Sequence, residues 1–371
     1  MALGAELDRR YANVRGAMAE HDLDALVVSG SEYSGFEGAV AYLSGFQIVH
    51  RYAYVVVPAE GDPAIVFPSE ARYVGEHGTA RIEQVFHDRP GEHIAERAGG
   101  EQWRRVGVYG LDYVMTVRDR GALDGLELVP FDVVFDLARA VKSAAELESV
   151  RDSVRINQRG FEIFLDAYEP GKSAAEVMAA AEQWFVAEGC GRLTMNMVLT
   201  GTDEYARPEF KIARREEALP RFVLPSLEVA GPGMHWVEVS RAIAAPGQGL
   251  SDHTECMLEA YGEYETAARA SMRAGASCHD VHRAVSKGFT ERGCHLGHVT
   301  GHSIGMTMIE FPKIGEGVET ELREGMVLSM HPHAIAENGE DCLYMQETWL
   351  VTADGGEPLS TLPMQVFRAG R

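Results

Sequence analysis

His302 follows a glycine in TGHSIG, a tight turn that leads toward a strand-forming run. His331 and His333 flank Pro332 in SMHPHA, and Gln346 and Glu347 are neighbours in CLYMQETWLVT. Side chains alternate along a strand, so His331 and His333 share a face if the strand is unbroken, while only one of Gln346 and Glu347 can face a given side. Pro332 places this face at a strand edge or end, where sites commonly lie. An unperturbed imidazole titrates near neutrality and serves as acid or base, which makes His331 the first candidate for proton transfer. Asp252, after GQGLS, either caps a turn or joins the same cavity. Glu238, on WVEVS, is either an outward strand residue or a further member.

Those residues need a scaffold, and the chain is long enough to supply one. Its 371 residues suggest two domains, and 46% are apolar, which supports a sizeable core. Leu7, Tyr11, Val14 and Met18 fall on one face of a first helix. LDALVVSG, YLSGF, YAYVVVP and PAIVFPS read as strands, and a small αβ domain spans 1–138. From residue 139 the periodicity turns helical, with Ser143 and Glu146 as a capping box. Helices are expected at roughly 143–168, 173–188, 256–273 and 278–292. From 195 onward the pattern is mostly strands, so 139–371 reads as helices over a largely antiparallel sheet.

Charge narrows the partners. Fifty-six acidic residues against 34 basic give a net charge of −22, which argues against nucleic acid and anionic membrane as partners; a small-molecule substrate is the expected partner. No apolar run reaches membrane-spanning length, and the start shows no cationic-then-apolar segment. Five scattered cysteines without a CxxC pattern fit reduced thiols in the cytoplasm.

The ordered motifs LDALVVSG with YLSGF, LARAVKSAAELESVRDS, RAGASCHDVHRAVSKGFTERG, TGHSIG, EGMVLSMHPHAI and QETWLVTADGGEPLST resemble the creatinase, prolidase and aminopeptidase P family over nearly the whole chain. The resemblance implies an N-terminal creatinase-like αβ domain and a pita-bread domain with a curved antiparallel sheet. Metal-dependent members of that family hold two divalent ions with two Asp, one His and two Glu. Residue by residue, Asp252 in LSDHT matches the second Asp and His302 matches the histidine. His331 and Gln346 stand where the two Glu are expected. The first Asp, sought about eleven residues before Asp252, finds only Glu238 or Ser240. Two further family histidines are replaced: Ile309 stands seven residues after His302, and Arg221 or Phe222 stands upstream. Ile309 would make one wall of the site apolar.

With the ligand set dismantled, the resemblance points to creatinase-like members, which cleave a C–N bond by side-chain acid–base chemistry without metal. The expectation is a hydrolase or lyase acting on a small amino-acid-derived substrate, not an ordinary Xaa-Pro peptidase, and needing no cofactor. His331, His302 and Asp252 would be catalytic; Gln346, Glu238, Arg51, His333, Ile309 and Glu347 would bind substrate. One alternative is a mononuclear enzyme with Fe, Mn or Zn on Asp252, His302 and His331, a two-histidine, one-carboxylate set. Another is a non-catalytic binding module. Arg51 lies close to where creatinase-like members place an arginine that reaches across the dimer, with a shorter local spacing, and a homodimer is expected. Substrate specificity is expected in the loop 200–220.

Overall fold

The computed structural model describes residues 3–32, 37–48, 50–74, 82–191 and 195–370. The chain forms two compact units, one of residues up to Arg139 with Met306–Met308, the other of Ala140–Gly305 with Ile309–Arg371.

In the first unit α1 (Leu3–Glu20) precedes β1 (Ala25–Ser31), α2 (Glu37–Ser44), β2 (Tyr52–Pro58), β3 (Ala64–Pro68), a 3₁₀ turn (Ser69–Val74) and β4 (Glu83–His87). Then come α3 (Pro90–Glu101), β5 (Arg105–Tyr109), α4 (Val117–Ala122), β6 (Glu127–Pro130) and α5 (Asp132–Arg139). The strands make one mixed sheet in the order β4-β3-β2-β1-β5-β6. Its β-branched residues pack face on: Val27, Val56, Val66, Val106 and Val108 are buried together with Ile94 and Trp103. Leu7, Tyr11, Val14 and Met18 are all buried, as their helical spacing predicts, whereas YLSGF is no strand: Tyr42, Leu43 and Ser44 end α2, all buried.

The second unit opens with α6 (Ala144–Ala167) and α7 (Ala174–Ala187). Ser143 and Glu146 close the expected capping box at the start of α6. Short strands follow: β7 (Met197–Leu199), β8 (Lys211–Ile212), β9 (Phe222–Ser226), β10 (Glu228–Ala230), β11 (Trp236–Glu238) and β12 (Ile243–Ala244). Next are α8 (Asp252–Ser271), α9 (Cys278–Thr290), β13 (His295–Leu296), β14 (Gly301–Ser303), β15 (Glu310–Ile314), β16 (Val327–Met330) and β17 (His333–Ile335). The unit ends with β18 (Cys342–Tyr344), β19 (Glu347–Val351), β20 (Gly356–Pro358) and β21 (Phe367–Arg368).

These strands are almost all antiparallel and belong to four sheet segments: β10-β11, β21-β12-β9-β7-β8, β13-β17-β18 and β15-β14-β16-β19-β20. Single bridges tie segments together, Ser240 to Gln346 and Ala206 to Cys342. The core beneath is continuous: Tyr261 and Tyr264 of α8, Phe289 of α9, Trp349 and Met345 are all buried in one cluster. Pro332 breaks the strand predicted through SMHPHA, because proline cannot donate to the ladder. As a result β16 pairs with β14 and β19, whereas β17 pairs with β13 and β18.

Candidate metal centre

The hairpin β10–β11 sets Glu228 directly opposite Glu238. Buried Asn157 of α6 donates to the carbonyls of Leu227 (2.8 Å) and Val237 (3.3 Å), gripping both strands from one side. The turn lies so close to α6 that a Cβ at Gly231 would stand 2.4 Å from Ser153 Oγ, so a larger residue there would have to displace Ser153. On the other side the Glu238 amide donates to Thr348 Oγ1 (3.0 Å), and that hydroxyl donates back to the Glu238 carbonyl (3.1 Å). Both glutamates are thereby fixed by backbone contacts, and both are buried.

His302 arrives on β14, where a Cβ at Gly301 would stand 2.3 Å from the Ser329 carbonyl oxygen. Its Nδ1 donates to the Ser303 carbonyl (2.9 Å), which leaves the lone pair on Nε2, 3.5 Å from Glu238 Oε1. His331 follows β16; its Nε2 is 3.7 Å from Glu238 Oε2, and its buried Nδ1 has no partner. Gln346 completes the cluster. Its Oε1 accepts from Ser240 Oγ (2.7 Å), and its Nε2 donates to Glu228 Oε1 (2.9 Å) and Glu238 Oε2 (3.0 Å) and lies 3.1 Å from Tyr344 Oη.

Burial alone would raise the Glu238 carboxyl, but His331 and His302 beside it reverse the sign and hold it near a pKa of about 2. For Glu228, burial and the neighbouring Glu238 charge both act upward, so its neutral form is favoured well above the usual carboxylate range. Burial works to lower His302, and Glu238 overrides it, so His302 is raised. His331 is pushed down to about 3, chiefly by burial.

The donor set fits one metal ion. Among the described residues, Glu238, His302 and His331 are the one group of three such side chains whose donor atoms all lie within 4.8 Å of one another. Two donors ~2.1 Å from a common ion at a tetrahedral angle stand ~3.4 Å apart, close to the 3.5 and 3.7 Å seen between Glu238 and the imidazoles. Both separations are longer than good hydrogen bonds. The partnerless Nδ1 of His331 marks an imidazole whose hydrogen bonding the protein alone does not complete.

Four predicted site residues come together here: His302, His331, Gln346 and Glu238. The others do not. Asp252 is the first residue of α8, after Ser251, whose side chain accepts from the Thr254 amide. There it complements the positive end of the helix, and it lies outside the group of Glu238, His302 and His331. Glu347 points to the opposite face and forms a buried ion pair with Arg241 (2.5 Å). Ile309 is 48% exposed and outside the buried cluster; Glu310, beside it, is buried against Lys142. His333 lies on the neighbouring segment with its Nε2 3.4 Å from Cys342 Sγ. Arg51, in the first unit, has φ of 66° and lines a cavity of about 360 Å³ with Tyr52, Pro68, Glu70, Thr116 and Arg118. Sequence reasoning missed Glu228, Tyr344 and His298, whose ring lies 5.0 Å from that of His331. The signal for Glu228 was present: LEV and WVEV alternate about a GPG turn, which is a hairpin pattern.

Residues 148–353 match the family described as Metallopeptidase family M24, and residues 10–141 match the Creatinase/Prolidase N-terminal domain. A probable dipeptidase PepE of Mycobacterium tuberculosis is 25% identical over 97% of this chain and 96% of its own length. An Xaa-Pro dipeptidase of Pyrococcus furiosus is 22% identical over 83% and 86%. The crystal structure of dipeptidase PepE from Mycobacterium ulcerans superposes with a TM-score of 0.82 at 23% identity, covering 98% of each chain. The fold is therefore the pita-bread fold behind a creatinase-like domain. Two expectations are overturned. The metal-free, non-peptidase C–N cleavage fails because the matching family is one of metallopeptidases and its similar members are named dipeptidases. The absence of a cofactor fails because the same family match coincides with a buried Glu-His-His donor set.

Proposed function

Since the chain belongs to metallopeptidase family M24, we propose that it hydrolyses dipeptides and other short peptides with a single divalent ion on Glu238, His302 and His331. The carrying observation is the approach of both imidazole Nε2 atoms to one buried carboxylate. Gln346 supports one ion over two. The two-ion members of the family place four carboxylates around their metals, whereas here two carboxylates are bridged by amide protons. Two histidines with one carboxylate suit Fe(II), Mn(II) or Zn(II).

When bound, such an ion polarises a scissile carbonyl and acidifies a water. The chain's own groups do the rest. Ser303 orients His302 through Nδ1. Gln346 holds the Glu238 carboxylate in place, and Glu228, whose neutral form burial favours, is placed to carry a proton beside the centre. The exposed His298, in ring contact with His331, offers a second proton-handling group at the rim. Five free cysteines fit a reducing, cytoplasmic setting, and no described helix is long and apolar enough to cross a membrane. A homodimer belongs to the same reading.

The test is metal analysis of the purified protein together with hydrolysis of a dipeptide panel, Xaa-Pro included, in Mn(II), Fe(II) and Zn(II). About one ion per chain and metal-dependent cleavage are expected. Cleavage that survives exhaustive chelation, or no cleavage with any of the three ions, overturns the reading.

A further inference from the structure

Beside the metal centre lies a group of four rings. Phe210 sits just before β8, and its ring centroid is 4.9 Å from Tyr344, 5.3 Å from His333 and 6.3 Å from His298. His298 in turn lies 5.2 Å from His333, and Tyr344 lies 5.9 Å from His331. The ring group is thus continuous with a proposed metal ligand. Its inner members are fixed: His333 is held by Cys342 Sγ and packs where a Cβ at Gly297 would come within 2.6 Å of its Nδ1. Tyr344 Oη meets the Gln346 amide. The outer members are open to solvent, Phe210 half-buried and His298 exposed. The Cys342 amide donates to the Ala206 carbonyl (2.9 Å), so the loop carrying Phe210 is tied to the strand that carries Tyr344.

We infer that Phe210, His333, Tyr344 and His298 form an aromatic wall that receives the side chain of a bound peptide, so that preferred substrates carry an aromatic or large aliphatic residue next to the scissile bond. The inference rests on the peptidase reading and names its substrate class. The rings meet mostly edge-on, which leaves the outer faces of Phe210 and His298 for a ligand. An added aromatic contact is worth roughly two- to tenfold in binding. An acidic side chain would lose its hydration against these rings and gain no hydrogen bond in return.

The experiment measures kcat/KM on Xaa-Ala and Ala-Xaa dipeptides, with Xaa as Phe, Leu, Gly or Asp, for metal-loaded wild type, Phe210→Leu and Phe210→Ala. Wild type should favour Phe over Gly by at least about tenfold in one series. The ratio should fall several-fold in Phe210→Ala, while Phe210→Leu keeps the Leu preference and loses that for Phe. An unchanged Phe-to-Gly ratio in Phe210→Ala overturns the wall. If wild type cleaves no peptide, the peptidase reading fails separately, and calorimetric binding of L-phenylalanine against glycine decides the wall. Tighter phenylalanine binding that Phe210→Ala abolishes supports it; equal binding of the two amino acids overturns it.

Discussion

Glu238 lies 3.5 and 3.7 Å from the Nε2 atoms of His302 and His331, so an amide in place of its carboxylate removes charge and leaves shape. Changes to residues that only orient a metal ligand cost roughly 10–100-fold in affinity, so Glu238→Gln, which alters a proposed ligand itself, should cost at least ~100-fold. His331→Ala should do the same, and His333→Ala should not, since His333 is outside the donor group. Competition titration with a chromophoric chelator measures this; wild-type affinity in Glu238→Gln would show the ligand assignment wrong. At this scale much was legible. A glycine turn marked His302, and alternation separated Gln346 from Glu347. Asp252 misled because an acid after serine reads equally as a strand-end ligand and as a helix start. Glu228 matches no motif position, and its place opposite Glu238 depends on how the hairpin pairs.

Among the elements, strand β19 begins with Glu347, one residue beyond Gln346, and alternation sends the two side chains to opposite faces. Behind the site Arg241 Nη2 binds Glu347 Oε2 and the Leu362 carbonyl, while Nη1 donates to the carbonyls of Ser240 and Gln346. Arg241 therefore clasps the two strands whose side chains meet at the Ser240–Gln346 contact. Glu347→Gln would leave a buried guanidinium without its counter-charge, at a cost of roughly 3–5 kcal/mol, read as a lower midpoint in urea unfolding. A second element contact has a pH signature. Asp24, before β1, accepts from the amides of Arg104 (2.7 Å) and Arg105 (2.9 Å), and these bonds hold its carboxyl below the ordinary value. A depressed carboxyl stabilises the fold above its unfolded pKa and loses that contribution as pH falls through the folded one. Wild type should therefore exceed Asp24→Asn in stability near neutrality, and the difference should shrink on acidification below about pH 4. A pH-independent difference in melting curves would rule the charge out. The helices were legible because caps and periodicity are local. The strands of the second unit were less so: many are two or three residues long, and whether Pro332 divides one strand between two sheets depends on partners distant in sequence.

For the whole molecule, the proposed ligands Glu238, His302 and His331 all belong to the unit of Ala140–Gly305 and Ile309–Arg371, on strands contributed by separated stretches of chain. An unfolded chain does not bring those three donors together, so an ion binding there binds the native state and stabilises it by mass action. At a hundredfold excess over the dissociation constant the gain is about 2.7 kcal/mol. For a unit of this size each kcal/mol moves the melting temperature by roughly 2–4 °C, so the transition of that unit should rise by roughly 5–10 °C. Calorimetry of chelator-stripped protein, with and without Mn(II) or Zn(II), reads the shift without requiring turnover. Glu238→Gln should show almost none of it, whereas Asp252→Asn should keep it whole, because Asp252 lies at the start of α8 outside the donor group. The two variants separate the alternatives that the sequence left open. A shift lost in Asp252→Asn and kept in Glu238→Gln would return the ligand role to Asp252 and undo the hairpin assignment. A shift kept in both would put the ion elsewhere in the molecule.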